Sequence, residues 1–166
     1  LNGLIHGDLG QALLNQEPVS KIIGNTLPAS LELSVIALIA AAIIGLSIGF
    51  SGIARPEGAV DFSGRLYGLG TYALPPFWVA MMVQLIFAVS LGWFPVGGRF
   101  PPSLLPPEGS GFFLFDSIVS GNWPALVGSI RHLVLPAATL ALLLSGTFTT
   151  ALRPNLRRTL RGDYVE

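Results

Sequence analysis

The chain has 166 residues, of which 51% are hydrophobic and only 11% charged; its formal net charge is zero and it has no cysteine. A soluble domain carries about 25% charged residues, and a neutral chain offers no basic footprint for nucleic acid. Without cysteine there are no disulfides, no thiolate chemistry and no redox clue to compartment. The shortage of charge is concentrated rather than spread. Leu33 to Ala54, Leu66 to Gly98 and Leu133 to Leu152 carry none at all. A bilayer core about 30 Å thick needs roughly 20 apolar helical residues, and each run is long enough. Three such helices buried in a soluble protein of this size would leave too little polar chain to cover them. The expected class is an all-α integral membrane protein, a polytopic helical bundle.

Residues 1–32 are polar to amphipathic. Pro18 to Gly24 reads as a short interfacial element with Val19, Ile22 and Ile23 on one face. Thr26 and Pro28 mark a helix start, and the first span follows at about 31–54. A charge at mid-bilayer costs at least about 3 kcal/mol, which places Glu32 at the interface or facing the bundle interior. A charged loop with Arg55, Glu57, Asp61 and Arg65 leads to the second span, about 66–93. Pro75-Pro76 removes backbone donors there and predicts a kink. The run closes on an aromatic belt at Trp93-Phe94.

A long Pro- and Gly-rich connection, 94–132, follows. Its apolar run Phe112 to Phe115 is too short to span and predicts an interfacial or re-entrant segment. Asn122 predicts a cap for a short helix leading to Arg131-His132. The third span is expected at 133–152, opening with Pro136. Ser145, Gly146, Thr147, Thr149 and Thr150, and Gly45-x-x-x-Gly49 in the first span, permit close helix approach; they read as packing residues more than as a lined pathway. Arg153, Arg157, Arg158 and Arg161 cluster after the third span. The positive-inside rule therefore puts 55–65 and 153–166 in the cytoplasm, and 1–32 and 94–132 outside.

Enzymatic readings find no residues to carry them. The only lysine, Lys21, follows no glycine-rich loop, so the ATP-binding P-loop is missing. His6 and His132 stand far apart with no HExxH, excluding a zinc site of metalloprotease type; both read as polar interfacial residues. No acidic pair or Ser/Lys pair lies within a span. No metal or other cofactor is expected in this chain. The tail 153–166 is cationic and amphipathic, with Leu156, Leu160 and Tyr164 at spacing four. It suits either an anchor on anionic lipid or a helix docking on a cytosolic partner. The chain opens at Leu1 without a signal-peptide pattern and closes at Glu166 within a polar stretch, which reads as an internal piece of a longer protein.

Seven stretches, in order, carry a resemblance: Gly7-Asp8-Leu9-Gly10, Pro18-Val19, Leu27 to Leu33, Leu74-Pro75-Pro76-Phe77-Trp78, Leu91 to Pro95 with Gly98-Arg99, Arg131 to Ala137, and Leu160-x-x-Asp163-Tyr164-Val165. Together they resemble the permease subunits of binding-protein-dependent ABC importers of the dipeptide, oligopeptide and nickel group. The resemblance implies a subunit of about six spans, of which this chain holds the second to fourth, in a bacterial or archaeal plasma (inner) membrane. It implies import of peptides or a related small solute such as nickel by alternating access. The implied partners are a second permease subunit, two cytosolic P-loop ATPase subunits that hydrolyse ATP, and an extracytoplasmic substrate-binding protein. It places ATPase coupling on the segment with Arg157, Arg158, Leu160, Asp163 and Tyr164. Pro154 departs from the family pattern and predicts a helix break between span and coupling segment. A passive channel or facilitator, or a non-transport membrane scaffold, would use the same spans without ATPases.

Overall fold

The computed structural model describes residues 9–13, 16–54 and 58–161, with side chains described as far as residue 152 except at residues 53 and 54. Among the described residues its regular elements are all helices, with an irregular stretch over 91–112 and one isolated β-bridge between Gln11 and Pro18. Helix α1 spans Val19–Ala54, α2 Ala59–Ala73 and α3 Pro76–Val83. The last continues as a π-helical stretch, Gln84–Ser90. A short helix α4, Phe113–Val119, precedes the long α5, Trp123–Arg161.

Helix α1 is 36 residues long, or about 54 Å at 1.5 Å per residue. It begins twelve positions before the predicted span: Val19 to Gly24 form its first turns rather than a separate interfacial element. Pro28 lies inside it. A proline there removes one backbone donor. Side chains add bonds around the gap: the Thr26 hydroxyl donates to the Ile22 carbonyl and Ser30 to that of Thr26.

Helices α2 and α3 meet at a break of 101° rather than a kink. Leu74 and Pro75 are both extended, with ψ of 129° and 128°. Pro76 blocks the helical region for the residue before it, and Pro75 does the same for Leu74. Pro76 then starts α3 without penalty, because the first turn has no use for its missing donor. Among the described residues, two helices are long and apolar enough to cross a membrane, and the bent pair makes a third crossing if it counts as one. Asp61 and Arg65, expected in a loop, are helical in α2.

Helix α5 starts at Trp123, ten positions before the predicted span, and passes both Pro136 and Pro154 without ending. Pro154 deletes one i→i−4 bond and leaves those on either side, so the predicted break does not occur. Asn122 caps the helix, accepting from the Ala125 amide at 3.1 Å.

The core is a seam of small residues. Helix α1 buries Ala37, Ala41, Gly45 and Gly49, and α5 buries Ala137, Ala141, Ser145 and Thr149, both at spacing four. A methyl built on Gly45 would lie 2.5 Å from the Ser145 carbonyl oxygen and 2.5 Å from Phe148 Cβ; one on Gly49 would meet Leu152. Backbones this close require side chains no larger than hydrogen at the crossing. The register also fixes direction: α1 and α5 run parallel, so Ala54 and Leu152 lie toward the same end. Thr149 ties the seam by donating to the Gly45 carbonyl at 3.2 Å. Helix α2 joins through Gly68 and Gly146. A methyl on Gly146 would sit 1.7 Å from Thr71 Oγ1, and Tyr67 bonds the Ser145 hydroxyl at 2.5 Å.

Gly146→Val is expected to destabilise the protein by about 1–3 kcal/mol through overpacking. Gly70→Ala, with nothing within 4 Å of its new methyl, is expected to leave stability unchanged or slightly raised. Thermal unfolding of the purified protein in detergent checks both; equal effects would contradict the packing.

Candidate functional site

Charged and polar side chains gather at the end of the bundle opposite Ala54 and Leu152. Glu32, on the wall of α1, has a side chain only 9% exposed. Its carboxylate accepts from the Leu114 amide at 2.8 Å through one oxygen and from the Arg99 guanidinium at 3.3 Å through the other. Arg99 also donates to the Gly111 carbonyl and lies 3.9 Å above the Phe113 ring. Phe113 in turn meets Phe100 edge-on, ring centroids 5.4 Å apart. The 94–122 connection is therefore clasped to α1 by one part-buried ion pair and one bond from its backbone, and within the connection a cation–π contact holds Arg99 on Phe113.

Asp116 organises the next layer. Its oxygens accept from the Ser110 amide at 3.1 Å, the Ser110 hydroxyl at 2.8 Å and the Gly111 amide at 2.9 Å. Gly109 and Gly111 adopt φ of 156° and 85°, and a methyl on Gly109 would fall 2.6 Å from the carboxylate. Burial pushes the Asp116 carboxyl up, but the Ser110 and Gly111 donors and the Arg99 charge outweigh it and hold it below the usual carboxylate range. Helix α4 is consequently inverted: Asp116 and Ser117 are buried, while Phe115, Ile118 and Val119 are exposed.

Two cavities lie beside α5. One, about 420 Å³, sits between α5 and the π-helical continuation of α3, walled by Pro76, Gln84, Val96, Pro136, Thr139 and Leu143. The other, about 480 Å³, lies nearer the clasp, between the connection and the first turns of α5, walled by Phe94, Pro101, Leu104, Val127 and Arg131. Pro95 and His132 border both. His132 Nδ1 is 2.9 Å from the Gly128 carbonyl. A carbonyl only accepts, so Nδ1 carries a proton, and in the neutral ring Nε2 is the acceptor. Arg131 donates to the Trp93 carbonyl at 3.1 Å.

At the opposite end, Asp61 is buried in the first turn of α2 and pairs with the half-exposed Arg65 guanidinium four residues on. Arg157, Arg158 and Leu160 lie on the last turns of α5, so the helical rod that carries the seam carries them as well. Asp163 and Tyr164 lie outside the described residues. No group of three His, Cys, Asp or Glu able to hold a metal occurs among the described residues. Sequence reading placed Glu32 at the interface or facing the bundle interior but found neither Arg99 as its partner, 67 positions away, nor Asp116 as the organiser of a loop. The available signal was Gly109-Ser110-Gly111, ending five positions before Asp116, a turn that supplies free amides.

No protein-family model matches the chain. It is 33% identical to the dipeptide transport system permease protein of Alkalihalophilus pseudofirmus over 99% of its own length and 50% of the relative's. It is 32% identical to the di/tripeptide transport system permease protein of Pseudomonas aeruginosa, over 99% and 49%. A putrescine export system permease protein of Escherichia coli is 34% identical over 84% of the chain and 44% of the relative. The chain spans about half the length of these curated relatives.

Two outcomes test the clasp. Glu32→Ala leaves the Leu114 amide and the Arg99 guanidinium without their acceptor and is expected to cost about 1–3 kcal/mol in unfolding free energy; Glu32→Gln, which still accepts from Leu114, is expected to cost less. Asp116 has a depressed value when folded, so its stabilisation is complete above the unfolded aspartate value near about 3.9 and is lost as pH falls toward the lower folded value. Hydrogen-exchange protection of the Ser110 and Gly111 amides should therefore hold from neutral pH to about pH 5 and fall only in stronger acid; loss already at neutral pH would contradict the assignment.

Proposed function

We propose that this chain, a relative of the permease proteins of peptide transport systems along nearly all its length, forms part of the permease subunit of an ATP-driven ABC importer of short peptides. The chain is a multi-pass membrane protein and a transport subunit rather than an enzyme. In this reading ATP is hydrolysed by two separate cytosolic ATPase subunits, a second permease completes the pathway, and an extracytoplasmic binding protein delivers the solute. The membrane is the bacterial or archaeal plasma membrane, with the arginine-rich end of α5 in the cytosol and the Glu32–Arg99 clasp outside.

The observation that carries the mechanism is the unbroken run of α5 from Trp123 to Arg161. A rod of 39 residues, about 58 Å long, links the segment around Arg157 to the seam with α1 and to the clasped outer end. Force applied at one end of a continuous helix moves the whole of it. A closing ATPase pair would push the Arg157–Leu160 segment and bias the bundle between two arrangements. A passive channel or a scaffold has no use for such a lever. Among possible solutes a short peptide is preferred over nickel because the similar permeases serve peptide systems.

The test is the double variant Arg157→Glu/Leu160→Asp in the complete transporter, reconstituted with its binding protein and ATPases. Peptide uptake and peptide-stimulated ATP hydrolysis are expected to fall at least about tenfold, the equivalent of about 1.4 kcal/mol of lost coupling, with the subunits still assembled. Uptake that needs no ATP in the wild type would mark a passive channel. Full ATP-driven uptake by the double variant would remove the docking role.

A further inference from the structure

Among the described side chains four are permanently cationic. Lys21 pairs with Glu17, Arg65 with Asp61 and Arg99 with Glu32. Arg131 is the exception: it donates to the Trp93 carbonyl, and no carboxylate of the described residues lies within 4.0 Å. A guanidinium has five donors, and one carbonyl leaves most of them available. Arg131 is also placed at a boundary. It stands 22 positions before Arg153 on one continuous helix, about 33 Å along the axis, close to the thickness of a hydrocarbon core. If Arg153 sits at one face of that core, Arg131 sits at the other.

Arg131 and His132 are also wall residues of the cavity nearer the clasp, and His132 continues into the deeper one. The remaining walls are mainly apolar: Phe94, Leu104 and Val127 in the first, Val96, Leu140 and Leu143 in the second. The two volumes, about 480 and 420 Å³, lie in the range of small-ligand sites, which are mostly apolar with a few placed polar groups. An unpaired cation at the mouth of an apolar cavity selects an anion carrying an apolar body.

Resting on the peptide-permease reading above, we propose that Arg131 receives the C-terminal carboxylate of a short peptide in the first cavity, with His132 at the threshold to the second. The planar guanidinium matches a carboxylate in a two-bond geometry. Nε2 of His132 offers an acceptor to a peptide N–H. The apolar walls take the side chains. A polyamine, having no anion, gains nothing from this site and is repelled by it. A phospholipid phosphate at the membrane boundary is the competing anion, and the experiment separates the two.

The experiment uses intact cells expressing the complete transporter, with Arg131→Cys and Arg131→Lys variants and a radiolabelled dipeptide. Wild-type, ATP-dependent uptake tests the reading on which the site rests; its absence would refute that reading independently of Arg131. Given wild-type uptake, Arg131→Cys should raise KM about tenfold or more at unchanged subunit abundance, and Arg131→Lys, which keeps the charge but loses the two-bond fork, should fall between wild type and Arg131→Cys. A cationic thiol reagent, ethylammonium methanethiosulfonate, should restore uptake. Its anionic counterpart, the ethylsulfonate, should not, and excess dipeptide should slow the modification. An unchanged KM in Arg131→Cys, equal effects of the two reagents, or an assembled Arg131→Lys as impaired as Arg131→Cys would overturn the assignment. Modification that dipeptide does not slow would mark Arg131 as lipid-facing and overturn it too.

Discussion

The closeness of two backbones governs this structure. Ala37, Ala41, Gly45 and Gly49 on α1 meet Ala137, Ala141, Ser145 and Thr149 on α5, and the approach leaves no room for a methyl at Gly45. In a lipid environment apolar burial gives helices little reason to associate, so contact area, shape and interhelical hydrogen bonds must do it. Small residues at spacing four supply the shape, and the bond from Thr149 to the Gly45 carbonyl supplies the polar tie. Because the two stripes run in the same direction, the seam also sets topology: the chain segments following α1 and the segment following residue 152 belong to one side.

That register aligns the charges. Gly45 beside Ser145 and Gly49 beside Leu152 put Glu32 level with the Arg131–His132 pair. Glu32, Arg99 and Arg131 thus gather toward one end of the bundle, while the arginine positions beyond Leu152 lie toward the other. A buried carboxylate is tolerable only with its partners in place, and Glu32 has two, both from the 94–122 connection. The connection is in consequence a clasped cover over one end of the bundle. Its inverted helix α4 follows from the same logic: Asp116 turns inward to satisfy the Ser110 and Gly111 amides, which leaves Phe115, Ile118 and Val119 facing out.

Much of the helical content was legible because uncharged runs of span length have one physical solution in lipid. The closeness of the seam was legible at Gly45-x-x-x-Gly49 and in the Ser/Thr-rich face of α5. Helix ends were not. The charged and polar turns Val19 to Leu31 and Trp123 to His132 read as non-membrane sequence, yet a helix does not stop where the bilayer does. Proline misled in both directions: Pro28, Pro136 and Pro154 are absorbed within helices, whereas Pro75-Pro76, where each proline also restrains its predecessor, breaks the chain by 101°. The Glu32–Arg99 pair and the cavity around His132 depend on segments far apart in sequence. No local pattern announces such a juxtaposition.

The parallel seam is tested most directly by a disulfide. A methyl built on Gly49 would stand 3.5 Å from Leu152 Cβ, within the usual Cβ separation of about 3.5–4.5 Å for a disulfide, and the chain has no cysteine of its own. With a protease site placed in the 102–108 connection to separate the two helices, the pair Gly49→Cys/Leu152→Cys should hold the fragments together after mild oxidation in the membrane and release them on reduction. Fragments that separate without reductant, together with a cross-link formed instead by Pro28→Cys/Leu152→Cys, would mean antiparallel helices and would contradict the account.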